Sequence, residues 1–167
     1  MTRIGAGTYV LMLSIVVWGT LLGGVMYSHI AFFPSYLSAL PDSSVLTNGP
    51  YPIRDGGFWM TMHPLMLLSL VISIAVNWRQ RRRRNLILIT AGVYIAAIIA
   101  TAIYFVPELI AFAASPGSAT PRDEWLARGN RWQYLSWVRG TAMYLSMIPL
   151  LFALIQPVDR ATDQDEN

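Results

Sequence analysis

Four polar side chains interrupt long apolar stretches of this sequence: His29, His63, Glu108 and Arg139. Two imidazoles and one carboxylate form the ligand set of an open iron(II) site, and they also suit zinc or copper. A guanidinium beside them would stabilise an anionic substrate or intermediate, or would orient the carboxylate through a bidentate pair. The residue types therefore predict His29, His63 and Arg139 as catalytic residues, and His29, His63 and Glu108 as ligands of a non-haem metal.

The same residues are compatible with other sites. The two histidines could instead bind haem b axially. A site without any cofactor would use a neutral histidine as a general base towards a phenol or an anthrone. In a purely structural cluster, Glu108 would pair with Arg139, and each histidine would satisfy a carbonyl or hydroxyl group.

The composition indicates which class of chain must position these residues. Of the 167 residues, 54% are apolar and only 13% are charged, whereas soluble domains carry about 25% charged residues. Residues 4–41, 56–78 and 85–107 contain no charge, and each stretch can hold the roughly 20 apolar residues that cross a bilayer. A soluble enzyme and a disordered chain are therefore excluded. The absence of Cys and Lys also excludes thiolate metal sites, c-type haem and Schiff-base chemistry.

We predict an all-α, integral membrane four-helix bundle that forms a single domain over residues 1–167. The predicted spans cover residues 8–33, 58–78, 86–113 and 125–155. Pro34 is expected to end the first span, because proline disfavours helix at the residue before it, and Pro107 is expected to kink the third. Residues 34–57 then form a long outer loop that can act as a lid, and residues 157–167 form an acidic tail.

An arginine-rich turn over residues 78–85 predicts the orientation. Short loops rich in Arg stay on the cytoplasmic side, so with four spans both termini are cytoplasmic and the membrane is the plasma (inner) membrane. The net charge of +3 does not indicate nucleic-acid binding, since five of the twelve arginines lie in this turn. These five are predicted to attract anionic lipid head groups: Arg79, Arg81, Arg82, Arg83 and Arg84.

Heights along the predicted helices bring the four polar residues to one level. His29 and Glu108 lie 21 and 22 residues from the cytoplasmic ends of their spans, and His63 and Arg139 lie 15 and 16 residues from theirs. At about 1.5 Å per residue, all four fall in the outer half, within roughly 10 Å of one another in height. A polar cluster at membrane depth is by default a functional candidate, and helix bundles commonly build sites from facing helices.

Aromatic and small residues surround this level. Most of the aromatic side chains suit an interfacial belt, and the rest could line a flat slot for a planar lipophilic ligand such as a quinone or polyketide. The predicted slot residues are Tyr27, Trp59, Tyr104 and Trp132. Gly19 and Gly23 form a small-xxx-small face, which favours close helix packing within the bundle or between protomers of an oligomer.

The last predicted span carries a resemblance to a known family. In the segment Arg-Trp-Gln-Tyr-Leu-Ser-Trp-Val-Arg, Trp132 precedes Arg139 by seven residues, and Pro107 lies near the end of the third span. With four spans in so short a chain, the protein resembles the anthrone-oxygenase-like family of small membrane proteins. That family often has His or Asn where this chain has Ser136, and an Asn shortly after the proline, where this chain has Glu108. The resemblance implies oxygenation of a phenolic polycyclic substrate, without an established cofactor.

Two functions are compatible with these features. The first is a membrane oxidoreductase or oxygenase that acts on a lipophilic aromatic or quinone-like substrate, with or without a metal. The second is a non-catalytic accessory or assembly subunit of a membrane complex, in which the polar cluster is structural. Convergence of both histidines on one cavity would favour the enzyme, and exposure of Gly19 and Gly23 to a partner would favour the subunit.

Overall fold

Four long helices make up most of the protein. The computed structural model describes residues 5–157, and the predicted acidic tail lies outside them except for its first residue. Each long helix is apolar and long enough to cross a membrane, and no strand occurs within the described residues, so the predicted all-helical architecture is confirmed. The helices are α1 (Ala6–Leu37), α2 (Gly56–Val76), α3 (Arg81–Ala113) and α4 (Arg122–Ile155).

Two of the helices contain a π turn just before a proline. In α1 the π turn covers Ser28–Phe32 and precedes Pro34, and in α3 it covers Thr101–Phe105 and precedes Pro107. Proline removes one backbone hydrogen bond and its ring collides with the carbonyl four residues earlier, and a wider turn relieves that collision. The prediction that Pro34 ends the first helix is therefore wrong, because α1 continues to Leu37. The irregularity expected at Pro107 is present.

Buried side chains form two clusters, one at each end of the bundle. The first fills the half near the arginine-rich turn, around Trp18, Met66 and Tyr94. The second lies at the opposite end, where Phe33 of α1, Phe105 of α3 and Trp132 of α4 meet. The two ends are called here the arginine end and the loop end.

One arginine of the arginine-rich turn is buried rather than solvated. Arg83 is only 3% exposed, and its guanidinium donates hydrogen bonds to Thr8 Oγ1, Asn77 Oδ1 and the carbonyls of Leu154 and Gln156. These acceptors come from the start of α1, the end of α2 and the end of α4. The prediction that all five arginines face lipid head groups is therefore wrong for Arg83.

At the arginine end, Asn77 leaves no room for a side chain at Gly7. Its amide nitrogen donates to the carbonyls of Gly7 and Ser73, and a Cβ added at Gly7 would lie 2.6 Å from Asn77 Oδ1. We expect Gly7→Ala to lower the free energy of unfolding by about 1–2 kcal/mol, the usual range for overpacking, measured by SDS titration in mixed micelles. Gly92→Ala is the control, because a Cβ there meets nothing within 4 Å and should be neutral or stabilising.

The segment predicted as a long outer loop, residues 34–57, contains short helical turns. Residues 34–37 continue α1, and a short 3₁₀ turn (Asp42–Ser44) is followed by one helical turn (Val45–Asn48). The segment is held on the loop end by a hydrogen bond from Asn48 Nδ2 to the carbonyl of Ala113 and by an ion pair between Asp42 and Arg122. It therefore covers the end of the bundle, and two of its residues reach the cavity described next.

Candidate functional site

A cavity of about 530 Å³ lies where the two buried clusters meet, and it is called here the main cavity. All four long helices contribute to its wall, and the covering segment contributes Thr47 and Asp55. The wall is mostly apolar, which suits a lipophilic ligand with a few polar groups. Its polar residues from the helices are Ser28, His29, Tyr36, His63, Tyr94, Thr101 and Arg139.

Among residues 5–157, Arg139 is the single cationic residue in this wall. Its terminal nitrogens donate to Thr101 Oγ1 at 2.6 Å and to Ser136 Oγ at 3.0 Å, and its guanidinium carbon lies 3.9 Å from the centre of the Phe105 ring. The Nε atom is buried and has no hydrogen-bond partner among the described residues. The ion pairs within residues 5–157 join Arg122 to Asp42 and Arg128 to Glu108, so no described carboxylate neutralises Arg139.

His29 belongs to the same hydrogen-bonded chain. Its Nδ1 lies 2.7 Å from the carbonyl of Val25, and its Nε2 lies 2.8 Å from Ser136 Oγ. A carbonyl only accepts, so Nδ1 carries the proton, and in the neutral ring Nε2 accepts from the Ser136 hydroxyl. Ser136 in turn accepts from Arg139. Both ring nitrogens of His29 are therefore occupied, and the ring is linked to Arg139 through Ser136.

His63 is less constrained. Its Nδ1 lies 2.7 Å from Tyr94 Oη, and the Tyr94 hydroxyl also lies 3.3 Å from the His63 carbonyl. If the hydroxyl donates to that carbonyl, Nδ1–H donates to Tyr94 Oη, and the lone pair of Nε2 is free. Nε2 makes no hydrogen bond to the described residues. The ring is held between Trp59 and Tyr94, with ring centres 5.8 Å and 6.0 Å away.

Two of the four predicted slot residues line the main cavity. Trp59 lies in its wall and donates from Nε1 to Asp55 Oδ2 at 2.9 Å. Trp132 is buried and donates from Nε1 to the carbonyl of Phe105, the last residue of the π turn in α3. Tyr27 is 70% exposed and does not line this cavity, and neither does Tyr104.

Glu108 lies outside the main cavity. Its carboxylate accepts two hydrogen bonds from Arg128, at 3.1 Å and 2.9 Å, within a separate polar cleft that also contains Tyr104 and Arg131. The predicted pairing of Glu108 with Arg139 is therefore wrong. The predicted ligand set of His29, His63 and Glu108 is not assembled, and within residues 5–157 no group of three or more His, Asp or Glu side chains is placed to hold a metal ion.

Three residues of the site were not predicted: Tyr94, Thr101 and Tyr36. Tyr94 is hydrogen-bonded to His63, and Thr101 accepts a hydrogen bond from Arg139. The buried Tyr36 hydroxyl has no hydrogen-bond partner among the described residues. The position of Thr101 gave one indication of its importance. It lies six residues before Pro107, and the helix was expected to be distorted near that proline. Tyr94 and Tyr36 gave no signal, because a tyrosine in an apolar span also suits packing or an interfacial belt.

Comparison of the chain with protein-family models, curated proteins and solved structures finds no match. The resemblance of the last helix to the anthrone-oxygenase-like family therefore stays a prediction.

Proposed function

We propose that this protein is an integral membrane oxidoreductase or oxygenase, and that it acts in the main cavity on a lipophilic aromatic substrate with an acidic hydroxyl or C–H group. We further propose that the arginine end and both termini are cytoplasmic, by the positive-inside rule. The cavity then lies in the outer half of a plasma (inner) membrane bundle. The four exposed or half-exposed arginines of the turn contact anionic lipid head groups.

The observation that carries this proposal is the unneutralised Arg139. A cation at membrane depth is costly and normally pairs with an anion or lines a polar path. Here its neighbours are two hydroxyls, an aromatic ring and an apolar cavity. An anionic oxygen of a bound substrate would supply the missing charge, and charge-assisted hydrogen bonds to such an oxygen are the strong ones.

His63 is the general base in this proposal. A neutral imidazole with a free Nε2 can accept a proton from a phenol or an anthrone methylene near neutral pH. Tyr94 Oη accepts from Nδ1–H and so stabilises the imidazolium that forms. Arg139 binds the resulting phenolate or enolate oxygen, while His29 and Ser136 are positioning residues that hold its guanidinium.

The overall reaction balances with dioxygen as the oxidant. An anthrone methylene loses one proton to His63, and the enolate reacts with dioxygen. The carbon keeps one oxygen atom as a carbonyl, and the second oxygen leaves as water with the two hydrogens of the methylene. The histidine proton is returned in that step. The residues that were predicted as a metal triad are not assembled around the cavity, so no step is assigned to a metal.

The accessory-subunit function is supported by one separate observation. Gly19 and Gly23 are both exposed, and a Cβ at either would meet nothing within 4 Å. Small residues on an exposed helix face permit close approach of another membrane helix. In the accessory-subunit function, this face would be the place of oligomerisation or of docking to a partner.

We expect His63→Gln to lower the rate of oxygen uptake with a hydroxyanthrone about 100-fold or more, because general-base catalysis contributes about 10²–10⁴. The affinity for the substrate should change much less, so the loss should appear in kcat rather than in KM. The measurement uses the full chain in lipid nanodiscs with an oxygen electrode. The optical spectrum gives the anthraquinone product.

Tyr104→Phe is the control, because Tyr104 lies outside the main cavity, in the cleft around Glu108. Its activity should match that of the unmodified protein. Absence of oxygen uptake and of saturable binding in the unmodified protein would rule out the proposed reaction. Metal analysis belongs to the same experiment: a stoichiometric metal lost in both His29→Ala and His63→Ala would instead support a metal-assisted site.

A further inference from the structure

A second cavity opens beside the main one, along the outside of α1. It measures about 560 Å³ and is called here the groove. The residues that belong to the groove but not to the main cavity are Gly23, Gly24, Tyr27, Ala31, Ser35, Leu46, Ile53 and Phe58. Apart from the glycines and Ser35, these side chains offer hydrocarbon or aromatic surface, so the groove suits an apolar occupant.

The groove follows one face of α1 from Gly23 to Ser35. Twelve residues at about 1.5 Å each give a length of about 18 Å. Gly23 leaves its floor open, since a Cβ there would meet nothing within 4 Å. Tyr27 and Ala31 are exposed on the same face. In the proposed membrane orientation, this face is directed towards the lipid chains of the outer half.

The groove and the main cavity share part of their walls. Ser28, Phe32, Asp55 and Trp59 line both. Three of these are side chains on a helix, and the fourth, Asp55, is an exposed residue whose carboxylate holds the Trp59 indole. The two cavities therefore meet at these four residues.

We infer that the substrate carries a hydrocarbon tail, so that its acidic aromatic ring occupies the main cavity and its tail lies in the groove along α1. This inference rests on the proposed function and specifies its substrate class: an alkylated or prenylated phenol, hydroquinone or hydroxyanthrone. The wall that the two cavities share is the reason for this choice. Such a substrate enters laterally from the bilayer, ring first, and its tail never leaves an apolar environment.

The test compares two ligands with the same hydroxyanthrone ring, one with a decyl chain and one without. Both affinities are measured in nanodiscs and corrected for partition into protein-free nanodiscs of the same lipid. We expect the tailed ligand to bind at least about threefold more tightly after this correction. Moving the tail from lipid into the groove gains no hydrophobic free energy, so the advantage comes from close van der Waals contacts with the groove wall. Gly23→Leu should remove most of this advantage and leave the affinity for the tail-less ring unchanged.

Gly19→Leu is the matched control. Gly19 lies one helical turn away on the same exposed face, also has nothing within 4 Å of an added Cβ, and does not line the groove. It should keep the full advantage of the tail. A photoreactive diazirine at the end of the tail gives an independent readout, and we expect it to label Tyr27 or Ala31.

Two results would overturn the inference while leaving the proposed function intact. One is equal corrected affinity of the tailed and tail-less ligands, with binding of both still dependent on Arg139. The other is an equal loss of the tail advantage in Gly19→Leu and Gly23→Leu. If neither ligand binds the unmodified protein, the proposed function fails together with this inference.

Discussion

Replacing Arg139 by Gln is expected to reduce kcat/KM for a hydroxyanthrone by about 10²–10³, the usual effect of removing a donor to a developing oxyanion. Within the part of the chain that the structure describes, the guanidinium is the one cationic group in the wall of the main cavity, and no carboxylate there competes for it. Arg139→Lys should recover only part of the loss, because an ammonium cannot replace the planar fork that bonds Thr101 and Ser136. Steady-state oxygen uptake measures both effects.

The matched control removes another arginine from the same helix together with its partner. In Glu108→Gln/Arg128→Gln the ion pair outside the main cavity is replaced by two amides, and kcat/KM should stay within about twofold, since side chains that touch no substrate contribute little to transition-state binding.

A stability measurement on an Arg139 variant separates an effect on function from an effect on folding. Arg139→Met should unfold at the same or a higher SDS fraction than the unmodified protein without substrate, because removing a poorly compensated buried charge is often neutral or stabilising. A loss of activity below fivefold in Arg139→Gln would contradict the assigned role.

Replacing Arg83 by Ala is expected to cause the largest loss of stability, about 3 kcal/mol. The guanidinium satisfies two side-chain oxygens and two carbonyls at the end of α4, and each buried acceptor left without a donor costs about 1–3 kcal/mol. Its charge also interacts favourably with the carboxyl end of that helix. SDS titration of the purified protein measures the change in the free energy of unfolding.

Arg82→Ala is the natural comparison, because Arg82 is exposed and lies next to Arg83 in the chain. Its effect should stay within about 0.5 kcal/mol, as for most surface substitutions. Arg83→Lys should fail to restore stability, because a single ammonium cannot reach acceptors on three segments. Equal stability of the Arg82→Ala and Arg83→Ala proteins would show that the buried guanidinium does not hold the arginine end together.

The four helices could be predicted because the signals for them are local. Long uncharged apolar stretches and clustered arginines indicate the first three spans. The predicted ends of the four spans lie within three residues of the observed ones, except at Pro34 in α1 and at the start of α3, which begins at Arg81 instead of residue 86. The height of a residue along its helix could be estimated in the same way. Height was sufficient to bring His29, His63 and Arg139 to one cavity.

Angular position around the helix axis could not be predicted. Glu108 lies near the predicted height but outside the main cavity, since the π turn over Thr101–Phe105 adds a residue to α3 just before it. The burial of individual side chains also could not be predicted from the sequence. The sequence does not distinguish Arg83 from the other four arginines of the turn. Only the folded positions of Thr8, Asn77 and the end of α4 show that Arg83 is the buried one.

The two π turns bear on how this bundle can change by insertion and deletion. A π turn holds one residue more than the α-helical turn it replaces, and one residue corresponds to a rotation of about 100° around the helix axis. Deleting a single residue within 28–32 would turn His29 or its neighbours away from Ser136. A deletion within 101–105 would turn Thr101 away from Arg139. We therefore expect homologous chains that lack these turns to differ by one-residue gaps inside their membrane helices, and to have built their polar clusters from different helix positions.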